Sequence, residues 1–116
     1  SDRAAYLIER AHFGVVPSVE SEAFGLGNLR YMALGRPQIC TRNGAPSEYL
    51  TDGESAILVP PADSATLAEA MIRLCKDPDL RKRMGETALH QFHSNHSWKA
   101  FTEKLDEIYE NCFRTT

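Results

Sequence analysis

Three short apolar runs, separated by helical patterns, constrain the fold of this chain more than any other feature. Phe13 to Val16, Pro37 to Thr41 and Ala56 to Val59 lack the polar–apolar alternation of a half-solvated strand. Strands that read this way are covered on both faces, as in parallel sheets flanked by helices. Parallel neighbours need a long crossover between them, usually a helix. The expected order is helix, strand, helix, strand, short helix, strand, then three helices. Such alternation defines an α/β fold with a parallel sheet.

The helical segments carry their own punctuation. Ser1-Asp2 can cap a helix from Arg3 to about Ala11, with Ala4, Leu7, Ile8 and Ala11 on one face. A second helix runs from about Leu26 to Leu34, burying Leu29, Met32 and Ala33, and Gly35 ends it. Pro37 is tolerated at the first position of the strand it opens. Asn43-Gly44 marks a turn, Ala45 to Leu50 suits one or two helical turns, and Thr51-Asp52-Gly53 breaks them. Asp63 or Ser64 caps an amphipathic helix carrying Leu67, Ala68, Ala70, Met71, Leu74 and Cys75. Asp77-Pro78 restarts a helix that reaches about Phe92, with proline at its first position. Ser97 opens a last helix, in which Phe101, Leu105, Ile108, Tyr109 and Cys112 recur at helical spacing.

At 116 residues the chain is one domain or part of one. Three parallel strands resemble half of a doubly wound, Rossmann-like domain, and they leave a long sheet edge unpaired. That edge predicts self-association. A net charge of −3 gives no reason to expect a nucleic acid partner, and Arg81-Lys82-Arg83 with Lys76 reads as a solvated helix face flanked by acidic residues. Cys40, Cys75 and Cys112 are odd in number and without a Cys-x-x-Cys pair, which disfavours disulfides and thiolate metal sites. Cys40 and Cys75 fall on apolar faces and read as small core residues. No apolar run is long enough to span a membrane, and no secretory signal pattern is present, so a cytoplasmic domain is expected.

The chemistry concentrates between the first strand and the second helix. Val16-Pro17-Ser18 ends a strand, and an acidic loop follows. Backbone N–H groups near Phe24, Gly25 and Leu26 open the next helix and are unpaired within it, so they can hold a phosphate. Gly25 permits close backbone approach. Glu22 lies just before this anion site, placed to accept hydrogen bonds from hydroxyls. A ligand with phosphate and polyol parts, such as a sugar nucleotide, suits that pairing.

Six spaced blocks then form a larger pattern. They are Pro17-Ser18, Ser21-Glu22-Ala23-Phe24-Gly25-Leu26, Met32-Ala33-Leu34-Gly35-Arg36-Pro37, Gly44 to Leu50, Asp52-Gly53-Glu54 and Leu58-Val59-Pro60-Pro61. Together with Leu67-Ala68-Glu69-Ala70, Asp77-Pro78 and Met84-Gly85, they resemble the C-terminal domain of the group 1 glycosyltransferases, also called glycosyltransferase family 4, over nearly the whole chain. The resemblance implies a GT-B fold, with residues 1–116 forming part of the donor-binding domain. It implies a retaining transfer of sugar from a nucleotide-diphosphate donor to an acceptor held mainly by an N-terminal domain of the same protein. No divalent metal and no other cofactor is implied, because a helix N-terminus and basic side chains neutralise the diphosphate. Glu22 matches the glutamate usually treated as catalytic. Ser21, Ala23, Phe24, Gly25 and Leu26 match the stretch that contacts the donor.

Two departures stand out. The family's second glutamate, eight positions on, falls on Arg30, which is donor-only and cannot accept bonds from ribose hydroxyls. The neighbouring small residue is enlarged to Tyr31, so donor binding is expected to be altered. The basic residues that grip the diphosphate in the family lie upstream of these blocks, and the 116 residues alone are expected to be inactive. A non-catalytic binding or assembly module derived from the same fold is an alternative, as is a relative of the sugar-nucleotide epimerases.

Other constellations are weaker. His90, His93 and His96 repeat every third residue, whereas a helical metal pair favours a spacing of four. Ser18 and Ser21 lack a Gly-x-Ser-x-Gly elbow. Glu48 reads equally as a helix cap or as a wall of the donor site. Trp98, Phe101 and Tyr109 read as core, and His12 as a boundary residue.

Overall fold

Apolar runs and capping residues set the elements. The structure, a computed structural model, describes residues 2–17, 26–42, 49–94 and 103. Helix α1 spans Asp2–Arg10, strand β1 Gly14–Val16, helix α2 Leu26–Ala33, strand β2 Gln38–Thr41 and strand β3 Ile57–Val59. Helices α3 (Ser64–Lys76) and α4 (Pro78–Ser94) follow. The expected α/β order therefore holds, with strand ends trimmed by a residue. Of the short helix expected over Ala45 to Leu50, residues 45–48 lie outside the described residues while Tyr49 is helical and Leu50 is buried; the last helix apart from Glu103 lies outside them too.

The three strands form a parallel sheet in the order β1-β2-β3, with Val15 opposite Ile39 and Ile39 opposite Ile57. Successive residues point to opposite faces, so each strand feeds two cores. Val16, Cys40 and Leu58 meet Leu29 and Met32 of α2 on one side. Val15, Ile39, Ile57 and Val59 meet Ala70 and Leu74 of α3 on the other. Helix α4 belongs to both layers. Its Leu80 and Met84 join the α3 side, and Ala88 with Phe92 joins the α2 side. It crosses at the amino end of the sheet, where Gly85 abuts the backbone of Gly35, just before β2.

Capping is specific. Gly35, at φ 66°, ends α2 with its N–H donating to the Met32 carbonyl at 3.0 Å, while the Arg36 N–H donates to the Tyr31 carbonyl at 2.9 Å. This paired pattern is the Schellman motif, in which glycine fits the left-handed position. Asp63 caps α3, accepting from the Thr66 N–H at 3.0 Å and the Thr66 hydroxyl at 2.8 Å. Asp77 closes α3 through its N–H to the Arg73 carbonyl, and opens α4 by accepting from the Leu80 N–H at 2.9 Å.

Two sequence expectations are corrected. Cys75, expected in the core, is exposed, because only the Ala70–Leu74 row of α3 meets the sheet and Cys75 lies 100° round the helix from Leu74. Leu7 is 59% exposed for the same reason, while its neighbour Ile8 is the α1 residue packed inward. Cys40 is buried as expected. The outer edge of β3 is partly closed. The Val59 carbonyl faces the Arg42 N–H, so the Leu58 N–H points away from β2, and the Asp52 carboxylate accepts it at 2.9 Å. Asp52 is in turn paired with Arg42 at 3.3 Å.

Candidate functional site

Helix α2 is the crossover between the parallel strands β1 and β2, so it runs antiparallel to them. Its first residue, Leu26, therefore stands at the carboxyl end of the sheet, the end at which open α/β sheets bind ligands. The first turn of α2 contains no acidic side chain. A helix end in that condition favours an anion. Of the expected site residues, Leu26 and Arg30 are placed by the structure; Ser21, Glu22, Ala23, Phe24 and Gly25 lie outside the described residues. Glu48 and His96 lie outside them too, while His90 and His93 are exposed on α4.

The start of α2 is locked to β2 by a pair of amides that the sequence reading did not single out. Asn28 and Gln38 are both fully buried. Asn28 Nδ2 donates to Gln38 Oε1 at 2.6 Å, and Gln38 Nε2 donates to the Asn28 backbone carbonyl at 3.0 Å. Asn28 Oδ1 is left without a partner. Gln38 interrupts an otherwise apolar strand, and that interruption was the available signal. Asn28 thus faces the sheet rather than capping the helix, and the orientation of the first turn is set from β2.

Arg30 lies half-buried in the last turn of α2, where a cation complements the helix dipole. The bulk of Tyr31 is accommodated away from the ligand end. Its ring lies where a Cβ of Gly14 would stand, and Gly14 is the first residue of β1. The enlarged side chain is matched by a missing one at the amino end of the strand.

A cavity of about 210 Å³ opens at the carboxyl ends of all three strands, lined by Pro17, Thr41, Val59, Pro60, Ala62 and Asp63 among others. Ala62 adopts φ 57° there, a left-handed conformation that alanine rarely takes. Hydrogen bonds from the Thr66 N–H and hydroxyl hold the Asp63 carboxyl below its usual range. Cys40, near the same end of β2, is not a nucleophile: burial, reinforced by the Asp52 carboxylate and only partly offset by Arg42, pushes its thiol up to about 12. Among the described residues no cluster of metal-ligating side chains occurs, and no helix is long and apolar enough to cross a membrane.

A parallel sheet whose crossover helix opens at its carboxyl end places the chain in the α/β class. The family follows from comparison: the sequence pattern of the glycosyl transferases group 1 matches residues 1–91, and the chain belongs to that family. It is 36% identical over 110 residues to a D-inositol 3-phosphate glycosyltransferase of Corynebacterium kroppenstedtii, covering 95% of this chain and 24% of that protein. Among solved structures it resembles sucrose-phosphate synthase from Thermosynechococcus elongatus, with a TM-score of 0.79 and 29% identity over 99% of this chain and 29% of the other. It also resembles the C-terminal domain of the group 1 glycosyl transferase LpcC from Francisella tularensis, with a TM-score of 0.71 and 28% identity over 78% and 46% of the two chains. The chain spans about a quarter of the length of the curated relatives it matches. The fold is that of the GT-B glycosyltransferases.

Proposed function

We propose that residues 1–116 form part of the donor-binding domain of a retaining glycosyltransferase. The observation that carries this reading is the start of α2, whose first turn carries no acidic side chain and which is presented at the carboxyl end of β1, within a chain that belongs to a glycosyltransferase family. The likeness to the LpcC C-terminal domain supports the placement within a larger enzyme. In this reading the Phe24, Gly25 and Leu26 amides hold the diphosphate of a nucleotide sugar, Ser21 and Ala23 line the sugar, and Glu22 accepts from its hydroxyls. The bond between the anomeric carbon and the phosphate oxygen breaks, an acceptor hydroxyl oxygen bonds to that carbon on the same face, and the nucleoside diphosphate leaves, taking the hydroxyl proton on its phosphate oxygen. The acceptor belongs to an N-terminal domain, so the 116 residues bind donor without turning it over. A reducing, cytoplasmic setting suits the free cysteines. Self-association through the β1 edge belongs to the same reading, since Asp52 already occupies the outer Leu58 N–H of β3.

Arg30 supports a second reading, a module that keeps the fold but has lost catalysis. Amide chemical shifts recorded during titration with UDP-, GDP- and ADP-sugars separate the two. One nucleotide sugar should shift the amides from Leu26 to Asn28. Glu22→Gln should weaken that sugar nucleotide about ten-fold or more while leaving the nucleoside diphosphate alone unaffected, since a hydrogen bond to a charged group contributes about 1.5–3 kcal/mol. Equal weakening of both ligands, or no shift with any donor, refutes the donor reading.

A further inference from the structure

A second cavity, lined by charged side chains, lies at the amino end of the sheet, opposite the start of α2. It occupies about 470 Å³ where the α1–β1 and α2–β2 connections meet the beginning of α4. Arg10, Arg36, Arg81 and Lys82 line it together with Glu9 and Glu86, four cations against two carboxylates in a chain of net charge −3. Among the described residues the ion pair that forms is Arg42–Asp52, and neither Glu9 nor Glu86 comes within ion-pair distance of these four cations.

All three guanidinium groups are held in place by neutral partners, Arg10 Nη1 donating to the Tyr6 hydroxyl at 2.7 Å. Arg81 Nη1 donates to the Leu74 and Cys75 carbonyls at 2.6 and 3.1 Å, and Arg36 Nη2 donates to the Glu9 carbonyl at 2.6 Å. Bonds to carbonyl oxygens fix a guanidinium without neutralising it, and each group retains donors beyond those used. Fixed guanidiniums with unneutralised charge suit a phosphate, which each can contact through two parallel N–H bonds. The carboxylates repel phosphate but accept from hydroxyls, so the mixed lining selects a ligand carrying both groups.

We propose that this cavity is a binding site for a small phosphorylated polyol, distinct from the donor site. Arg36, Arg81 and Lys82 hold the phosphate, and Glu9 and Glu86 accept from the hydroxyls. Arg36 follows directly on the C-terminal cap of α2, whose opposite end forms the donor site, so the two sites sit at the two ends of one helix.

Glycerol 3-phosphate and inorganic phosphate serve as probes in amide chemical-shift titrations of the whole chain. The expected result is saturable shifts at Gly35, Arg36, Arg81 and Lys82, with glycerol 3-phosphate binding more tightly than phosphate. Lys82 is exposed, so Lys82→Ala preserves the fold and should weaken both probes about two- to five-fold, the range of an exposed charge contact. Glu86→Gln should tighten inorganic phosphate by removing a like charge. Shifts that follow ionic strength without saturating, or a Lys82→Ala chain that binds as the parent does, overturn the site. Equal affinity for the two probes overturns the polyol assignment. Failure of nucleotide sugars to shift Leu26 to Asn28 bears on the donor site and leaves these outcomes unchanged.

Discussion

Gly85 of α4 touches the cap of α2, so Gly85→Ala probes the contact by which one helix joins both layers. An added Cβ would stand 3.1 Å from the Gly35 carbonyl carbon and 3.5 Å from Pro37 Cδ, and would press into the Gly35 oxygen. Gly35 has little room to retreat, because its own N–H and that of Arg36 are bonded into the end of α2 at 3.0 and 2.9 Å. Two effects oppose each other. Replacing a helical glycine by alanine gains about 1 kcal/mol in propensity. Overpacking a dense contact costs about 1–3 kcal/mol, and the upper part of that range applies where the obstacle is backbone rather than a flexible side chain. The net is a loss of about 1–2 kcal/mol, or roughly 4–8 °C in Tm for a domain of this size. Gly27→Ala is the matched control, since a Cβ there meets nothing within 4 Å. It should stabilise by up to about 1 kcal/mol. Urea unfolding followed by circular dichroism, with the m-value compared across variants, reads both. A Gly85→Ala midpoint equal to or above that of the parent would show that the two helices are not in close backbone contact.

The Asn28–Gln38 pair gives a second test. Gln38→Leu strips two buried amide groups of their partners and should cost about 2–4 kcal/mol, with part regained when Asn28→Leu is added; simple additivity in the double-mutant cycle would mean that the pair is not coupled. Asp63 predicts an acid-sensitive cap: its folded carboxyl titrates below the unfolded value of 3.8, so its stabilisation is complete at neutral pH and is lost as the pH falls through the folded value. Asp63→Asn keeps a capping oxygen without the titration, so the stability gap between parent and variant should narrow below about pH 4; a gap that stays constant down to about pH 2 would refute the assignment.

Local signals identified most of the architecture. The unbroken runs at Val15-Val16, Ile39-Cys40 and Ile57 to Val59 announced strands covered twice, and each proves to divide its residues between two cores. Asp63, Asp77-Pro78 and Gly35 marked helix ends because capping depends on residues only a few positions apart. The helix opening at Leu26 was equally legible, since N–H groups at a helix start are free whatever the surroundings. Burial was less legible. Helical periodicity assigned Leu7 and Cys75 inward, yet an apolar stripe can be wider than the surface that covers it.

The sequence by itself determined the element order, the parallel sheet and the opening of α2 at Leu26, all of which follow from periodicity and from caps within one or two turns. Only the tertiary structure decided how Tyr31 is accommodated by Gly14, how Asn28 meets Gln38 and how Gly85 rests on Gly35. It also brought Arg10, Arg36, Arg81 and Lys82 around one cavity. The reason is physical: a cap or a strand is specified by neighbours along the chain, whereas close packing and a cluster of like charges depend on what the fold places across the gap. Arg81 and Lys82 read along the chain as a solvated helix face; set beside Arg36 across the amino end of the sheet, they line a site.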